Sequence, residues 1–525
     1  MLGSLLLATL LQANAIAPAM RATDSILPTD PAVTIGRLPN GVRYYIRPNK
    51  RPEHRAELRL VVNAGSVLED EDQRGMAHFV EHMAFNGTAN FAKQELVDYI
   101  ERIGMRFGAH LNAGTSFDET VFELQVPTDS AGPLTRAFQI LEDWAHGVTF
   151  DSAEIRKERG VVLEEWRQGR GARQRMLDRQ LPALFQGSRY AQRLPIGTRE
   201  CIEACSAEAI RRYYRDWYRP DLMAVVAVGD FDQRAVEALI RKHFAGLEPR
   251  GTSRERGVIP VRPLETPVVA IATDPEATGT TVSVYYHLPP RNGATVSSRR
   301  ERLTEELATA ILNDRLFELT RRGDPPFIGA GAGRSRLVRA ADVFAFGAAV
   351  PDSGIRRGLE AVLIEIERAG RYGFTEPELE RARQEFLRGL EQVYAERDKS
   401  ESSAFVDDYV DHFLTGDAIP GIEEDYRRAR VWVPAVRLTE LNALAKSWLR
   451  GVPALLVDAP EKNKALIPTP AELLALFGDV RRRAIEPYRE RVSAGALVPA
   501  GLAPGRVVSE AADSAAGTLT WSLSN

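Results

Sequence analysis

The sequence predicts an α+β protein made of two homologous domains, each with a mostly antiparallel sheet packed with helices. Short apolar or alternating stretches, typical of strands, are interspersed with longer stretches of helical periodicity. A charged segment with glycine and proline, residues 246–265, divides these stretches into two parts. Both parts end with a helix, a short loop and an apolar strand, at residues 207–229 and 438–458, which indicates an internal duplication.

The first part, residues 33–245, opens with a hairpin whose turn is Pro39-Asn40-Gly41. The remaining strands are expected at residues 56–64, in a strand–turn–strand stretch at 110–126, and at 221–229. Helices are expected at residues 75–85, 93–103, 134–145, 152–166, 207–217 and 234–244. These elements form the first α+β domain.

The second part, residues 266–465, repeats this organisation. Its strands are expected at residues 266–271, 281–287 and 453–458, and its helices at 302–320, 354–369, 376–398 and 436–449. Residues 329–336, with three alternating glycines followed by Arg-Ser-Arg, indicate a flexible basic stretch without the Lys-Ser/Thr ending of a phosphate loop. We expect this domain to have no metal site.

The last residues, 466–525, are expected to form a helical linker. Residues 520–525 (TWSLSN) echo residues 35–40 (IGRLPN), which open the first hairpin. This echo predicts that the linker leads towards a missing second half in which the same architecture begins again.

The composition and the N-terminus bear on partners and localisation. A formal net charge of −4 favours neither nucleic acid nor an anionic membrane as a partner. Residues 1–19 combine a short apolar run with small residues at alternating positions, which predicts a signal peptide and export to the periplasm. No later segment is long and apolar enough to be a membrane span. Cys201 and Cys205 are interpreted as separate thiols, with a local disulfide as the alternative.

The motif that carries the chemistry is His78-Phe79-Val80-Glu81-His82. Residues four apart on a helix lie roughly 40° apart around its axis, so both imidazoles project from one face. Two imidazoles on one turn suit a tetrahedral Zn²⁺ with open positions. Glu81 lies on the same side, where its carboxylate is predicted to act as general base on a zinc-bound water.

A third protein ligand is expected in the segment 154–165 (EIRKERGVVLEE). Glu158 and Glu165 are seven residues apart and share a helix face to within roughly 20°. We interpret Glu165 as the ligand and Glu158 as a supporting residue that orients a histidine or a neighbouring arginine. Glu164 is the alternative ligand. The first domain is therefore predicted to be the catalytic, zinc-binding one.

Four segments resemble the insulinase/pitrilysin family of inverted-motif zinc metallopeptidases. Residues 75–88 (GMAHFVEHMAFNGT) are similar to the family's signature helix, and residues 158–166 (ERGVVLEEW) to its downstream helix, where the second of two acids is the zinc ligand. Residues 111–116 (LNAGTS) resemble its active-site edge strand, and residues 216–220 (DWYRP) also fit. The resemblance is strongest to the N-terminal half of the exported bacterial branch.

This resemblance implies half of a clam-shell peptidase that encloses unfolded peptides. A peptide substrate would add as a strand to the edge near Asn112 and Ala113, with loose sequence preference. The gap from His82 to Glu165 is a few residues longer than is usual in the family, which predicts a loop insertion before Glu158. In the family, an arginine and a tyrosine from the second half complete the site. We therefore expect a C-terminal half or a partner subunit to complete the chamber.

Two alternatives to a zinc endopeptidase stay open on the sequence. The first is a non-catalytic peptide-binding or assembly subunit of a heteromeric peptidase with the same fold. Such a subunit would be expected to have lost one of the four site residues, and this chain retains His78, Glu81, His82 and Glu165. The second is a hydrolase of another class that uses the same metal site.

Overall fold

The computed structural model describes residues 24–169, 171–250, 254–291, 293–448, 450–490, 505–514 and 517–524. The expected signal peptide, residues 1–19, lies outside these ranges. Residues up to Ile485 form one compact unit, and residues from Glu486 onward form a second. The structure confirms the α+β class, with two sheets packed with helices in the first unit.

The described residues include thirteen strands and fifteen α-helices. The strands are β1 (Thr34–Arg37), β2 (Arg43–Pro48), β3 (Arg55–Val62), β4 (Leu111–Thr115), β5 (Thr120–Pro127), β6 (Met223–Gly229), β7 (Val268–Asp274), β8 (Thr280–Leu288), β9 (Gly329–Val338), β10 (Ala341–Val350), β11 (Pro453–Pro460), β12 (Val507–Asp513) and β13 (Thr518–Leu523). The helices are α1 (Met76–Met83), α2 (Glu95–Arg102), α3 (Ala131–Glu142), α4 (Ser152–Gln168), α5 (Ala172–Leu184), α6 (Arg199–Ala204), α7 (Ala207–Trp217), α8 (Gln233–Phe244), α9 (Val296–Thr320), α10 (Ile355–Tyr372), α11 (Glu376–Ala395), α12 (Ser402–Thr415), α13 (Ile422–Ala435), α14 (Leu438–Trp448) and α15 (Pro470–Arg482).

The first sheet has the strand order β1-β2-β6-β3-β5-β4. Strands β2 and β6 are parallel, and the other neighbouring pairs are antiparallel. Strand β4 lies at one edge, where β5 is its neighbouring strand and Leu111 makes an isolated bridge with Phe107. The sheet therefore ends in a short strand whose outer side has no partner strand in this sheet.

The second sheet repeats the first. Its order is β7-β11-β8-β10-β9, with a parallel β7–β11 pair and antiparallel pairs elsewhere. In this order, β7, β11, β8, β10 and β9 occupy the places of β2, β6, β3, β5 and β4. The chain also runs through the two sets of strands in the same succession. This correspondence expresses the internal duplication in three dimensions. The glycine-containing stretch expected to be flexible is instead edge strand β9, which pairs along its length with β10.

Buried apolar side chains cover both faces of the first sheet. On one face the central strands pack against α1, with Phe79, Val80 and Met83 fully buried. On the other face α12, which belongs in sequence to the second part, packs Tyr409 against Tyr45 with ring centroids 5.8 Å apart. The helix that follows the second domain's long helices therefore covers the first sheet.

Helix α5 also joins the two parts, because it belongs in sequence to the first part and contacts the second sheet. It packs on the second sheet, where Gln180 donates hydrogen bonds to the backbone oxygen of Ala270 (3.2 Å) and to Asp458 (2.8 Å). Arg175 forms a bidentate ion pair with Asp274 at the end of β7, with distances of 2.6 and 2.8 Å. Helix α5 follows α4 almost directly, so the end of α4 is fixed against the second domain.

The C-terminal segment differs from the expected helical linker. Helix α15 ends at Arg482, and the later described residues include an antiparallel hairpin of β12 and β13. The period of two in Thr518-Leu519-Thr520-Trp521-Ser522-Leu523 favours a strand over a helix and explains the difference. Among the described residues, no helix combines the length and the apolar character required to cross a membrane.

Candidate metal centre

Helix α1 begins at a glycine with a left-handed backbone. Gly75 has φ of 97°, and a Cβ there would lie 3.0 Å from the Gly197 backbone, so both conformation and space favour glycine. The fully buried Glu69 carboxylate accepts hydrogen bonds from the backbone N–H groups of Gly75 and Ala77, the latter at 2.8 Å. Burial raises the pKa of Glu69 to about 8, although these N–H groups act in the opposite direction.

The helix presents His78 and His82 towards Glu165 on α4. The two histidine Nε2 atoms are 3.3 Å apart. Glu165 Oε2 lies 3.3 Å from His82 Nε2 and 3.6 Å from His78 Nε2. Within the described ranges, these are the residues whose His, Cys, Asp or Glu ligand atoms converge closely enough to hold a metal ion as a group of three.

These distances fit a tetrahedral zinc ion. With zinc–nitrogen and zinc–oxygen bonds of 2.0–2.1 Å, neighbouring ligand atoms of a tetrahedron lie about 3.3 Å apart. Two imidazoles and one carboxylate are also the donor types that zinc takes in catalytic sites, which leave the fourth position open. The residues present therefore fit the ion that the motif predicts.

Glu158 lies behind His82. Its Oε1 is 2.7 Å from His82 Nδ1. Because Nε2 is directed at the other ligand atoms, Nδ1 carries a proton and donates a hydrogen bond to the carboxylate. Burial lowers the pKa of His82, but hydrogen bonds to Glu158 and Glu165 outweigh it and raise the pKa to about 9. The metal-free pocket is therefore strongly attractive to positive charge.

Glu164 occupies a different environment from Glu165. Its side chain is exposed and accepts hydrogen bonds from Arg167 Nε (2.8 Å) and from Gln168. The bonds from Arg167 lower the pKa of Glu164 to about 2. Of the two candidate ligands, the structure brings Glu165 to the histidines and turns Glu164 to solvent.

Glu81 is held by a residue that sequence reasoning missed. The Thr115 hydroxyl, at the end of β4, donates to Glu81 Oε2 at 2.7 Å. Both side chains are buried, with exposed fractions of 7% for Thr115 and 8% for Glu81. Thr115 lies in the stretch LNAGTS, in the same predicted strand as Asn112 and Ala113. This shared strand was the feature of the sequence that could have identified it.

The edge strand β4 forms one wall of a pocket of about 430 Å³ at the metal centre. The pocket is lined by the metal-site residues, by the strand and by two aromatic rings: His78, Glu81, His82, Phe85, Phe107, Asn112, Ala113, Gly114, Thr115, Glu158 and Glu165. Phe107, also missed from the sequence, is half exposed and meets Phe85 edge-on with centroids 5.5 Å apart. The predicted substrate-binding residues thus border the metal centre.

The hydrogen-bond pattern of β4 shows which residue faces outward. Gln125 N–H donates to the His110 carbonyl, and Ser116 N–H donates to the Glu119 carbonyl. In an antiparallel ladder these bonds make Asn112 and Gly114 the residues bonded to β5 and leave the Ala113 N–H and C=O directed to the open edge. Cys201 and Cys205, in contrast, are free thiols away from the pocket lining.

Two sheets with an edge strand beside a His-x-x-Glu-His helix and a distant glutamate define the class of inverted-motif zinc peptidases. Comparisons with known proteins agree with this class. Residues 44–194 match the family described as "Insulinase (Peptidase family M16)", and residues 204–386 match "Peptidase M16 inactive domain". The chain belongs to this insulinase family, M16. Helix α9, which follows β8 as α1 follows β3, contains no histidine.

Relatives and solved structures match most of the chain. The chain is 33% identical over 495 residues to "Zinc protease PQQL-like" of Arabidopsis thaliana, covering 93% of this chain and 48% of that protein. It is 29% identical over 430 residues to "Probable zinc protease PqqL" of Escherichia coli (strain K12), covering 82% and 46%. The crystal structure of the first half of the periplasmic protease PqqL from Escherichia coli superposes with a TM-score of 0.81 at 26% identity, covering 89% of this chain and 100% of that chain. The chain spans about half the length of the curated relatives it matches.

Proposed function

We propose that this chain is the zinc-binding part of a metalloendopeptidase that hydrolyses peptides or unfolded proteins. The observation that carries the proposal is the convergence of His78, His82 and Glu165, with Glu81 beside them in the same pocket. The names of the relatives, which are zinc proteases, support the same reaction class.

Each residue has a distinct task in this proposal. His78, His82 and Glu165 would hold the zinc ion, which would supply a Lewis acid to acidify water and polarise the scissile carbonyl. Glu81 accepts a proton from the attacking water and later returns it to the leaving amine. Glu158 keeps His82 in the tautomer whose Nε2 is available as a ligand.

We propose that the substrate binds as an additional strand along β4. The outward N–H and C=O of Ala113 would pair with the peptide backbone, and Asn112 is exposed beside them. Backbone pairing fixes the peptide against the metal centre with little demand on its side chains. Unstructured peptides are therefore the expected substrates, because a folded protein cannot offer a free strand.

The wider setting is also part of the proposal. Since relatives are about twice as long, we propose that a second half, covalently attached or supplied as a partner, completes the chamber around the pocket. The expected leader, together with the periplasmic location in the titles of two similar structures, supports export to the periplasm.

Replacing the general base tests the reaction. We expect Glu81→Gln to lose cleavage of an unstructured peptide by at least about a hundredfold, because general bases typically contribute that much or more. Zinc content should stay at the wild-type level, since Glu81 is not a ligand. The assay uses the chain together with its second half, with and without a chelator.

The matched control is Glu101→Gln, which removes an exposed glutamate from α2 and should leave the rate unchanged. Wild-type cleavage by zinc-loaded Glu81→Gln would show that the assigned mechanism is wrong. Cleavage that persists in metal-free enzyme would exclude the zinc reaction as a whole.

A further inference from the structure

The hydroxyl of Thr115 donates a hydrogen bond to the Glu81 carboxylate. Its Oγ1 lies 2.7 Å from Glu81 Oε2, in a position shielded from solvent. A hydroxyl that donates to a carboxylate forms a charge-assisted hydrogen bond, which is shorter and stronger than a neutral one. The last torsion of a glutamate side chain is broad, so such a partner is needed to fix the plane of the carboxylate.

The strand ladder fixes the direction in which Thr115 donates. Thr115 pairs with Thr120 on β5, and their Oγ1 atoms are 3.5 Å apart. Thr120 is fully buried and donates its only hydroxyl proton to the Ala64 carbonyl at 3.0 Å. The proton of Thr115 therefore goes to the nearer acceptor, Glu81, rather than to Thr120.

The same short strand also faces the open edge. Ala113, two residues before Thr115, directs its backbone N–H and C=O to the edge where a peptide strand is proposed to add. Thr115 is likewise a residue that is not paired through its backbone to β5, so β4 carries the peptide-pairing position and the partner of Glu81 on one stretch of backbone.

We propose that Thr115 is a positioning residue that aims the Glu81 carboxylate from the same strand to which the peptide is proposed to add. This inference rests on the proposed peptidase function. It assigns Thr115 no contact with the reacting atoms. Its effect is exerted through one hydrogen bond, so removal of the hydroxyl should change the rate of the chemical step and leave peptide affinity and zinc binding in place.

The test compares Thr115→Val, which keeps the branched shape and lacks the hydroxyl, with Thr115→Ser, which keeps the hydroxyl. With the zinc-loaded chain and its second half, we expect Thr115→Val to lower kcat roughly ten- to hundredfold, as is typical for residues that orient site groups. KM should stay within about twofold and zinc content at one ion per chain, because the hydroxyl is neither a backbone pairing group nor a ligand. Thr115→Ser should recover most of kcat.

A second readout is independent of catalysis. In the metal-free chain, Thr115→Val should lower Tm, because the buried Glu81 carboxylate loses the hydrogen bond from this hydroxyl. In a Glu81→Ala background the same substitution should have little effect on Tm, since contacting residues are not additive. Additive Tm changes, or an unchanged kcat in Thr115→Val, would overturn the assignment of Thr115 alone. Absence of chelator-sensitive cleavage by the wild type would overturn the peptidase proposal, and this inference with it.

Discussion

At the scale of single residues, the metal centre is a balance of charges in a mostly buried pocket. Glu158 and Glu165 contact His82 directly, and Glu81 adds to the negative field. Without a cation this field raises the pKa of His82 to about 9, so a proton occupies the place that the metal would take. Zinc binding must displace that proton, which makes the carboxylates around the histidines as important as the histidines themselves.

The choice between two adjacent glutamates gives the first prediction at this scale. Glu165→Gln should weaken zinc binding by at least about tenfold, because a neutral amide replaces a charged ligand oxygen. Glu164→Gln is the matched control, since Glu164 contacts only Arg167 and Gln168 at the surface. Competition with a chromophoric chelator measures both affinities. Equal affinities of the two variants would remove Glu165 from the ligand set.

Glu158 is predicted to act through His82. Glu158→Gln keeps the shape of the side chain and removes the charge that stabilises the orientation of His82, so zinc affinity should fall roughly tenfold while the fold persists. Glu154→Gln, on the same helix and paired with Lys93 and Lys157, should bind zinc as the wild type does. The same chelator competition gives the values. A wild-type affinity in Glu158→Gln would mean that the 2.7 Å contact has no effect on the site.

Local geometry decides which of these residues could be predicted from sequence. The spacing of His78 and His82 on one helical turn is sufficient to bring their rings together, as their Nε2 distance of 3.3 Å shows. Whether Glu164 or Glu165 faces the histidines depends on how α4 is rotated about its axis. The spacing of seven residues between Glu158 and Glu165 indicates that rotation only in part. Thr115 could not be predicted as the partner of Glu81, because that contact joins β4 to α1 through the register of the sheet.

At the scale of elements, the N-terminus of α1 has an unusual cap. Glu69 is fully buried and precedes the helix by several residues, yet its carboxylate accepts the N–H groups of Gly75 and Ala77. A carboxylate at a helix N-terminus is stabilised by the helix dipole and by the free N–H groups there. Burial opposes this and keeps the pKa of Glu69 at about 8. The first turn of the metal helix is therefore sensitive to pH.

This cap predicts a pH-dependent stability. Burial raises the pKa of Glu69 to about 8 in the folded chain, whereas the ordinary pKa of a glutamate is 4.5. Between these values the folded state binds more protons, so Glu69 contributes a decrease in the free energy of unfolding as pH rises. Glu69→Gln should flatten the curve of Tm against pH over that range.

The control for this prediction is Glu95→Gln. Glu95 also accepts a backbone N–H near a helix start, from Ala92, but it is exposed. The Glu95→Gln chain should therefore keep the wild-type pH dependence of Tm. If Glu69→Gln retains the wild-type slope as well, Glu69 does not hold its proton in the folded chain.

Elements that depend on distant partners were the ones that sequence patterns missed. Strand β9 contains Gly329, Gly331 and Gly333, which weaken an isolated strand, and it exists because β10 supplies a continuous ladder. Helix α5 was also missed, and it contains Pro182. In contrast, α1, α4, β3 and β6 show clear periodicity or continuous apolar runs and lie within a few residues of their expected bounds.

At the scale of the whole first unit, the duplication could be predicted and its joining could not. The matching order of helix, loop and strand at the end of each part indicated two similar sheets. Nothing local indicates that α12 packs on the first sheet or that α5 packs on the second. Each part therefore contributes a helix to the other. The second domain contacts α5, the helix that follows Glu165 and the end of α4.

Arg175 links the second domain to the end of α4, the helix that carries Glu165. Its guanidinium binds both oxygens of Asp274, whose side chain is 1% exposed, and also donates to the Gln168 carbonyl at the end of α4. Gln168 lies three residues after Glu165, and Gly169 follows with φ of 65°. We predict that Arg175→Ala removes the bidentate partner of the Asp274 carboxylate and lowers the free energy of unfolding of the chain. Because the end of α4 is released at the same time, zinc affinity should also fall, by roughly tenfold.

Two variants separate the joining role from general destabilisation. Arg179→Ala removes a neighbouring, half-exposed arginine of α5 and should change stability and zinc affinity much less. Arg175→Lys keeps the charge and loses the planar fork that meets both Asp274 oxygens, so it should resemble Arg175→Ala. Chemical denaturation of the metal-free chain and chelator competition give the two quantities. A loss of stability without a loss of zinc affinity would show that the second domain supports the fold of α5 but does not set the position of Glu165.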